Sequence, residues 1–176
     1  MPIVFKPPIP VDLATSDCAV FLAGSIEMGA AEDWQTRLTE ALEGVPSAPS
    51  PGALTTGPHY FVVLNPRRDD WDASWRQSID EPRFREQVEW ELDGLARADV
   101  IAMWFAPETK APITLLELGL HARGGKLVIG CPDGYWRRGN IEVVCARFGI
   151  PLLATWEAFV AAVIARVARP GASTTA

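Results

Sequence analysis

A chain of 176 residues, 48% hydrophobic and 22% charged, can bury a full core without disulfides or a structural metal, and its longest apolar runs are too short to span a membrane. A net charge of −6, unrelieved by any Lys/Arg run, argues against a nucleic-acid polymer as partner and leaves a small molecule. Cys18, Cys131 and Cys145 are widely spaced and lack a C-x-x-C pair, so they read as reduced thiols, and neither a metal nor another cofactor is expected.

The chain opens on MPIVFKPPIPVDLATSD, whose short hydrophobic patch is broken by prolines, unlike a secretory signal; a cytoplasmic protein is expected. CAVFLAG at 18–24 is the first predicted strand, followed by a helical pattern over 31–43 and a proline-rich loop over 43–59. A second strand, YFVVLNP at 60–66, leads into RRDDWDASWRQSIDEP at 67–82, a long loop that its two tryptophans should order. Helix 82–97, strand 100–107, helix 113–123, strand 126–132, helix 139–148, strand 150–155 and helix 156–168 complete one domain over 1–170, with a frayed tail at 171–176. The strands are continuously apolar rather than alternating, as when both sheet faces are covered. The expected fold is therefore an α/β three-layer sandwich around a five-stranded parallel sheet, with the strands, numbered along the chain, in the order 2-1-3-4-5.

In such a sheet, ligands bind beyond the carboxyl ends of the strands near the point where strand order reverses. That selects Gly24 and Ser25, the Asn65-Pro66-Arg67 turn, the loop after Phe105, and Pro132-Asp133. Glu117, among the leucines of PITLLELGL, belongs to the same rim and is expected in the first turn of its helix. Two readings fit it. Thr114 and Glu117 have the spacing of a capping box; alternatively, a carboxylate near the positive end of a helix dipole stays ionised and suits a nucleophile. Leu115, Leu116, Leu118 and Leu120 fall all round the helix at about 100° per residue, which leaves no clear solvent face and weakens the cap. In the preceding helix, Phe84, Val88, Leu92 and Leu95 make an apolar stripe, with Glu91 at its edge and Glu86, Glu89 and Asp93 on the solvated side. Glu91 is either a rim residue or a placed acid, and Gln87 lies one turn earlier on its side. Asp99 reads as punctuation before a strand. Arg67 and Arg68, with Ser25, could hold a 5′-phosphate, or form a surface ion-pair loop. Trp71 could stack on a base, whereas Trp75 reads as structural.

VFLAGSIE (20–27), LNPRR (64–68), VEWELDGLARADVIAMWF (88–105), ITLLELGLHARGGKLVIG (113–130) and YWRRGNIEVV (135–144), in this order, resemble the nucleoside 2-deoxyribosyltransferases and their relatives. The resemblance implies a flavodoxin/Rossmann-like sandwich. It also implies that Glu117 attacks the anomeric carbon of a nucleoside or nucleotide to form a covalent glycosyl-enzyme, while Glu91 exchanges a proton with the departing base. Asp99 matches the A-D aspartate, and Asn140 the asparagine that reaches into a neighbouring subunit's site, so a homodimer or larger homo-oligomer with shared sites is implied. The loop APETKAPIT departs from the family in lacking glycine and aspartate before the nucleophile helix. Three functions follow: base exchange by sugar transfer, hydrolysis of a nucleoside or its 5′-monophosphate, or ligand sensing without turnover.

Overall fold

The computed structural model describes residues 2–13, 18–26, 32–45 and 61–168. Most of the proline-rich loop expected over 43–59, and the whole C-terminal tail, lie outside them. The elements run β1 (Ile3–Phe5), β2 (Cys18–Gly24), α1 (Trp34–Ala41), β3 (Phe61–Leu64), α2 (Pro82–Arg97), β4 (Val100–Trp104), α3 (Pro112–His121), β5 (Leu127–Gly130), α4 (Arg138–Phe148), β6 (Leu152–Leu153) and α5 (Trp156–Val167).

Every residue of β3, β4 and β5 is buried, which explains their unbroken apolar runs. Side chains alternate between two cores. Phe21 and Ala23 of β2, with Ile101 and Met103 of β4, pack against Trp90 and Leu95 of α2, Leu118 of α3 and Ile141 of α4. Val20, Leu22, Val100, Ala102 and Trp104 face α1 and α5 through Trp34, Leu38, Phe159 and Val163. On that second face Trp104 lies 5.1 Å from Trp156 and 5.2 Å from Phe159, which also meets Trp34 at 6.2 Å between ring centroids. The three-layer sandwich is as expected.

All strand pairings are parallel, and the sheet order is β1-β3-β2-β4-β5-β6. The five expected strands keep the order 2-1-3-4-5, but the sheet has six. The sixth is β1, which pairs Ile3, Val4 and Phe5 with Val62, Val63 and Leu64. As an edge strand of three residues with Ile3 and Val4 half-exposed, it lacks a buried strand's signature.

Two helix expectations are corrected. The buried face of α2 is Gln87, Trp90, Gly94 and Leu95, with Glu91 half-buried in the same stripe, while Leu92 is 46% exposed. Gly94 is the cause: a Cβ there would meet the Phe21 ring at 2.8 Å, so the helix presses its bare backbone onto β2. Glu91 is thus within the inward face, not at its edge. Helix α3 begins at Pro112 behind Ala111, whose left-handed backbone (φ 43°, ψ 53°) turns the chain into the helix. Thr114 therefore lies inside the helix, no capping box forms, and Glu117 falls in the second turn. The helix does have a solvent face, occupied by Ile113, Leu116 and Leu120 at 59%, 60% and 58% exposure.

Candidate active site

The carboxyl ends of β2 and β4 are locked together before any functional group is considered. Gly24 passes so close to Trp104 and Trp34 that a Cβ would come within 2.7 Å of the Trp34 ring. The next residue, Ser25, is fully buried and its N–H donates to the Trp104 carbonyl at 3.0 Å. Its hydroxyl accepts from the Ala106 N–H at 3.1 Å and shares a 2.5 Å hydrogen bond with the Thr109 hydroxyl. Thr109 spends its own hydrogen on the Ala106 carbonyl at 2.8 Å, so Ser25 is the donor to Thr109. Ser25 has no hydrogen left for a ligand. It ties β2 to the loop before α3.

That loop is gripped from the other side as well. The Lys110 carbonyl accepts from the Tyr135 hydroxyl at 2.6 Å and from the Trp136 indole N–H at 3.1 Å, while the Tyr135 ring rests on Phe105 with centroids 5.0 Å apart. Thr109, Tyr135 and Trp136 are supporting residues that sequence reasoning missed. The Ser25–Thr109 bond crosses 84 positions and leaves no local pattern, and the only hint of the second grip was an aromatic pair with polar tips beside a rim loop.

The loop delivers α3 with Thr114, Glu117 and Leu118 turned inward. Glu117 is 7% exposed. Burial, seconded by the charge of Glu91, pushes its carboxyl up to about 8. The expectation that the helix dipole holds Glu117 ionised is overturned, because that field fades beyond the first turn and desolvation dominates. Glu91 faces the same interior from α2. Its residue surface is partly open but its carboxyl is desolvated, and burial pushes it up to about 7 against the Gln87 N–H that draws it down. The charge of Glu91 contributes to the rise at Glu117, so the two carboxyls disfavour being ionised together.

Gln87 is 4% exposed and donates through Nε2 to Glu91 Oε1 at 2.7 Å and to the Pro66 carbonyl at 3.0 Å. It joins the site through the acid. Arg67 stands at the rim with its side chain 17% exposed, its Nε 3.9 Å from Asp33 and its NH1 3.4 Å from Gln35. Arg68 is an ion-pair residue, its side chain 4% exposed and bound to Asp70 at 2.6 Å and Glu86 at 2.9 Å. Trp71 pairs with Trp75 at 5.2 Å and orders this loop, as expected of the tryptophans; its buried indole nitrogen has no partner among the described residues.

Two expected site residues do not meet the acids within one chain. Asp99 is exposed at the amino end of β4, the far end of the sheet from Glu117, where its carboxylate accepts from the Ala19 N–H at 2.8 Å and its own N–H returns to the Ala19 carbonyl at 2.9 Å. These bonds tie the start of β4 to β2, the punctuating place that its position before the strand suggested. Asn140 is exposed in the first turn of α4. Among the described residues no group of three His, Cys, Asp or Glu side chains is placed to hold a metal, and no helix is long and apolar enough to cross a membrane.

A family model described as "Nucleoside 2-deoxyribosyltransferase like" matches residues 17–135, a span from the approach to β2 to the turn before α4 that holds both acids. No curated protein matches the chain.

Proposed function

Because the chain belongs to the nucleoside 2-deoxyribosyltransferase-like family, we propose that it cleaves the N-glycosidic bond of a (deoxy)nucleoside through Glu117 and passes the sugar to a second base. The observation that carries this reading is the pair of desolvated, coupled carboxyls, Glu117 and Glu91, on neighbouring helices beside the carboxyl ends of the central strands. The Glu117 carboxylate attacks the anomeric carbon, the C–N bond breaks with its electron pair going to the base, and the Glu91 proton moves to that base. The incoming base then attacks the same carbon, gives its proton to Glu91 and releases Glu117 as carboxylate. One proton serves both halves, passing from Glu91 to the departing base and back from the incoming one. Glu117 must be the ionised member at the moment of attack. Positive charge developing on the sugar favours that distribution, and a basic nitrogen beside Glu91 favours the proton there.

The commitment of Ser25 to Thr109 and of Arg68 to Asp70 and Glu86 removes two of the three donors envisaged for a 5′-phosphate. The reading therefore prefers the nucleoside to its monophosphate. Self-association belongs to the same proposal. Ile113, Leu116 and Leu120 form an exposed apolar stripe on α3, flanked on the same layer by Leu92 of α2 and the 71% exposed Val143 of α4, and Asn140 is exposed on that layer. Sedimentation should show an oligomer that Leu116→Lys weakens; a monomeric wild-type protein refutes this part.

Incubation with a panel of deoxynucleosides and their 5′-monophosphates, with and without a free acceptor base, tests the chemistry by chromatography. Exchanged base supports transfer, and free sugar supports hydrolysis in its place. A mass increase with a 2-fluoro sugar analogue, absent in Glu117→Ala, locates the nucleophile. If no substrate yields either product, the catalytic reading falls and a sensing role replaces it.

A further inference from the structure

We propose that Gln87 is the positioning residue of the acid: its side-chain amide clamps one oxygen of Glu91 to the loop leaving β3 and so fixes how the other oxygen meets the base. The proposal deepens the reading of Glu91 given above and rests on it.

The orientation of the amide follows from its neighbours. The Pro66 carbonyl can only accept, so the NH2 group must face it, and turning the amide would set two carbonyl oxygens against each other. The same NH2 group donates to Glu91 Oε1, one helical turn along α2. Both N–H bonds are then used. The other end of the amide, Oε1, is buried without a partner among the described residues. An unpaired buried acceptor is unfavourable, so it is the NH2 group that accounts for a polar residue at this place.

The far end of the clamp is held in turn. Asn65 is 3% exposed; its N–H donates to the Phe5 carbonyl at 2.9 Å and its Oδ1 accepts from the Arg67 N–H at 2.9 Å, which sets the turn carrying the Pro66 carbonyl. A continuous path runs from the edge strand through Asn65, Pro66 and Gln87 to Glu91. The Gln87 bond falls on Oε1 of Glu91, which leaves Oε2 as the oxygen for proton exchange.

Among the described residues Glu117 acts on Glu91 from α3, and of the two arginines of the β3 loop Arg67 lies beside Asp33 and Gln35 and Arg68 bonds to Asp70 and Glu86. A donor that touches the carboxylate favours its ionised form, so Gln87 opposes the effect of burial. Losing the clamp makes Glu91 a weaker acid with a less defined direction.

The test is carboxyl 13C NMR of the full chain, with the Glu91 signal assigned by its loss in Glu91→Gln. In Gln87→Met, of similar length but with no donor, the Glu91 midpoint should rise by about one pH unit. The basic limb of the pH–rate profile should move up with it, with KM little changed. An unchanged midpoint in folded Gln87→Met overturns the proposal. If that variant fails to fold, the wild-type protein decides: the Gln87 side-chain amide protons should follow the Glu91 titration, and cease to do so in Glu91→Gln. A flat response refutes the clamp. Neither NMR measurement needs turnover, so absence of activity on every nucleoside counts against the proposed reaction, and a flat Gln87 response counts against Gln87 alone.

Discussion

Replacing Glu117 by glutamine should make the protein more stable in alkali and leave it nearly unchanged in acid. The carboxyl is raised from 4.5 to about 8 on folding, so the folded state resists its ionisation. Below pH 4.5 the group is protonated in both states and nothing is lost. Above pH 4.5 the unfolded chain ionises while the folded one keeps its proton, so stability falls steadily as pH rises from 4.5 and levels off above about 8, where the folded state ionises as well. At about 1.4 kcal/mol per pH unit the shift corresponds to at most about 5 kcal/mol by pH 9. Relaxation of the site and sharing with Glu91 reduce this to about 2–4 kcal/mol, because part of the repulsion leaves with either partner. Glutamine keeps the shape and removes the charge. For a chain of this size the gain is about 5–10 °C in Tm at pH 9, against almost none at pH 5. Denaturant titrations and thermal melts followed by circular dichroism at pH 5, 7 and 9 measure it. A difference between variant and wild type that stays constant from pH 5 to pH 9 would falsify the assignment of Glu117 as a buried, raised acid. The same variant should lose turnover, which separates the residue's catalytic value from its structural cost.

Further outcomes follow from the supports of the site. Gly94→Ala should destabilise by about 1–2 kcal/mol in denaturant titration, despite alanine's better helix propensity, because its methyl meets the buried Phe21 ring. Ser25→Ala should cost about 1–2 kcal/mol and lower kcat more than KM, since it frees the loop that delivers α3; a KM-only effect would favour direct substrate contact. Asp99→Asn should reduce stability by about 1 kcal/mol and leave KM untouched, as expected of a group at the opposite end of the sheet.

The sheet was legible because strands covered on both faces leave continuous apolar runs, and Cys18–Gly24 reads as a strand with its bounds intact. The edge strand Ile3–Phe5 was not, since three half-covered residues before a proline pair carry too little pattern. Helix α2 was placed at 82–97 but rotated in the reading, because periodicity counts side chains and the residue that sets the inward face, Gly94, has none. The acids themselves stood out as charges among apolar neighbours. What holds them did not: Thr109, Tyr135 and the Pro66 carbonyl act through contacts between distant segments. The start of α3 was read within one residue, at 113, but the T-x-x-E spacing kept a cap at Thr114 as one of two readings, which Pro112 as the first helical residue removes.

The aromatic cluster of Trp34, Trp104, Trp156 and Phe159 lies on the face of the sheet away from Glu91 and Glu117. One layer therefore carries the strain of two buried acids and the other carries none, with the sheet as a wall between them. Substitutions that improve packing among α1, α5 and these rings should add to the molecule's tolerance almost independently of changes made around the acids. A search for altered base preference has a place to begin: reinforce the aromatic layer first, and the acid layer gains freedom to vary before the chain ceases to fold.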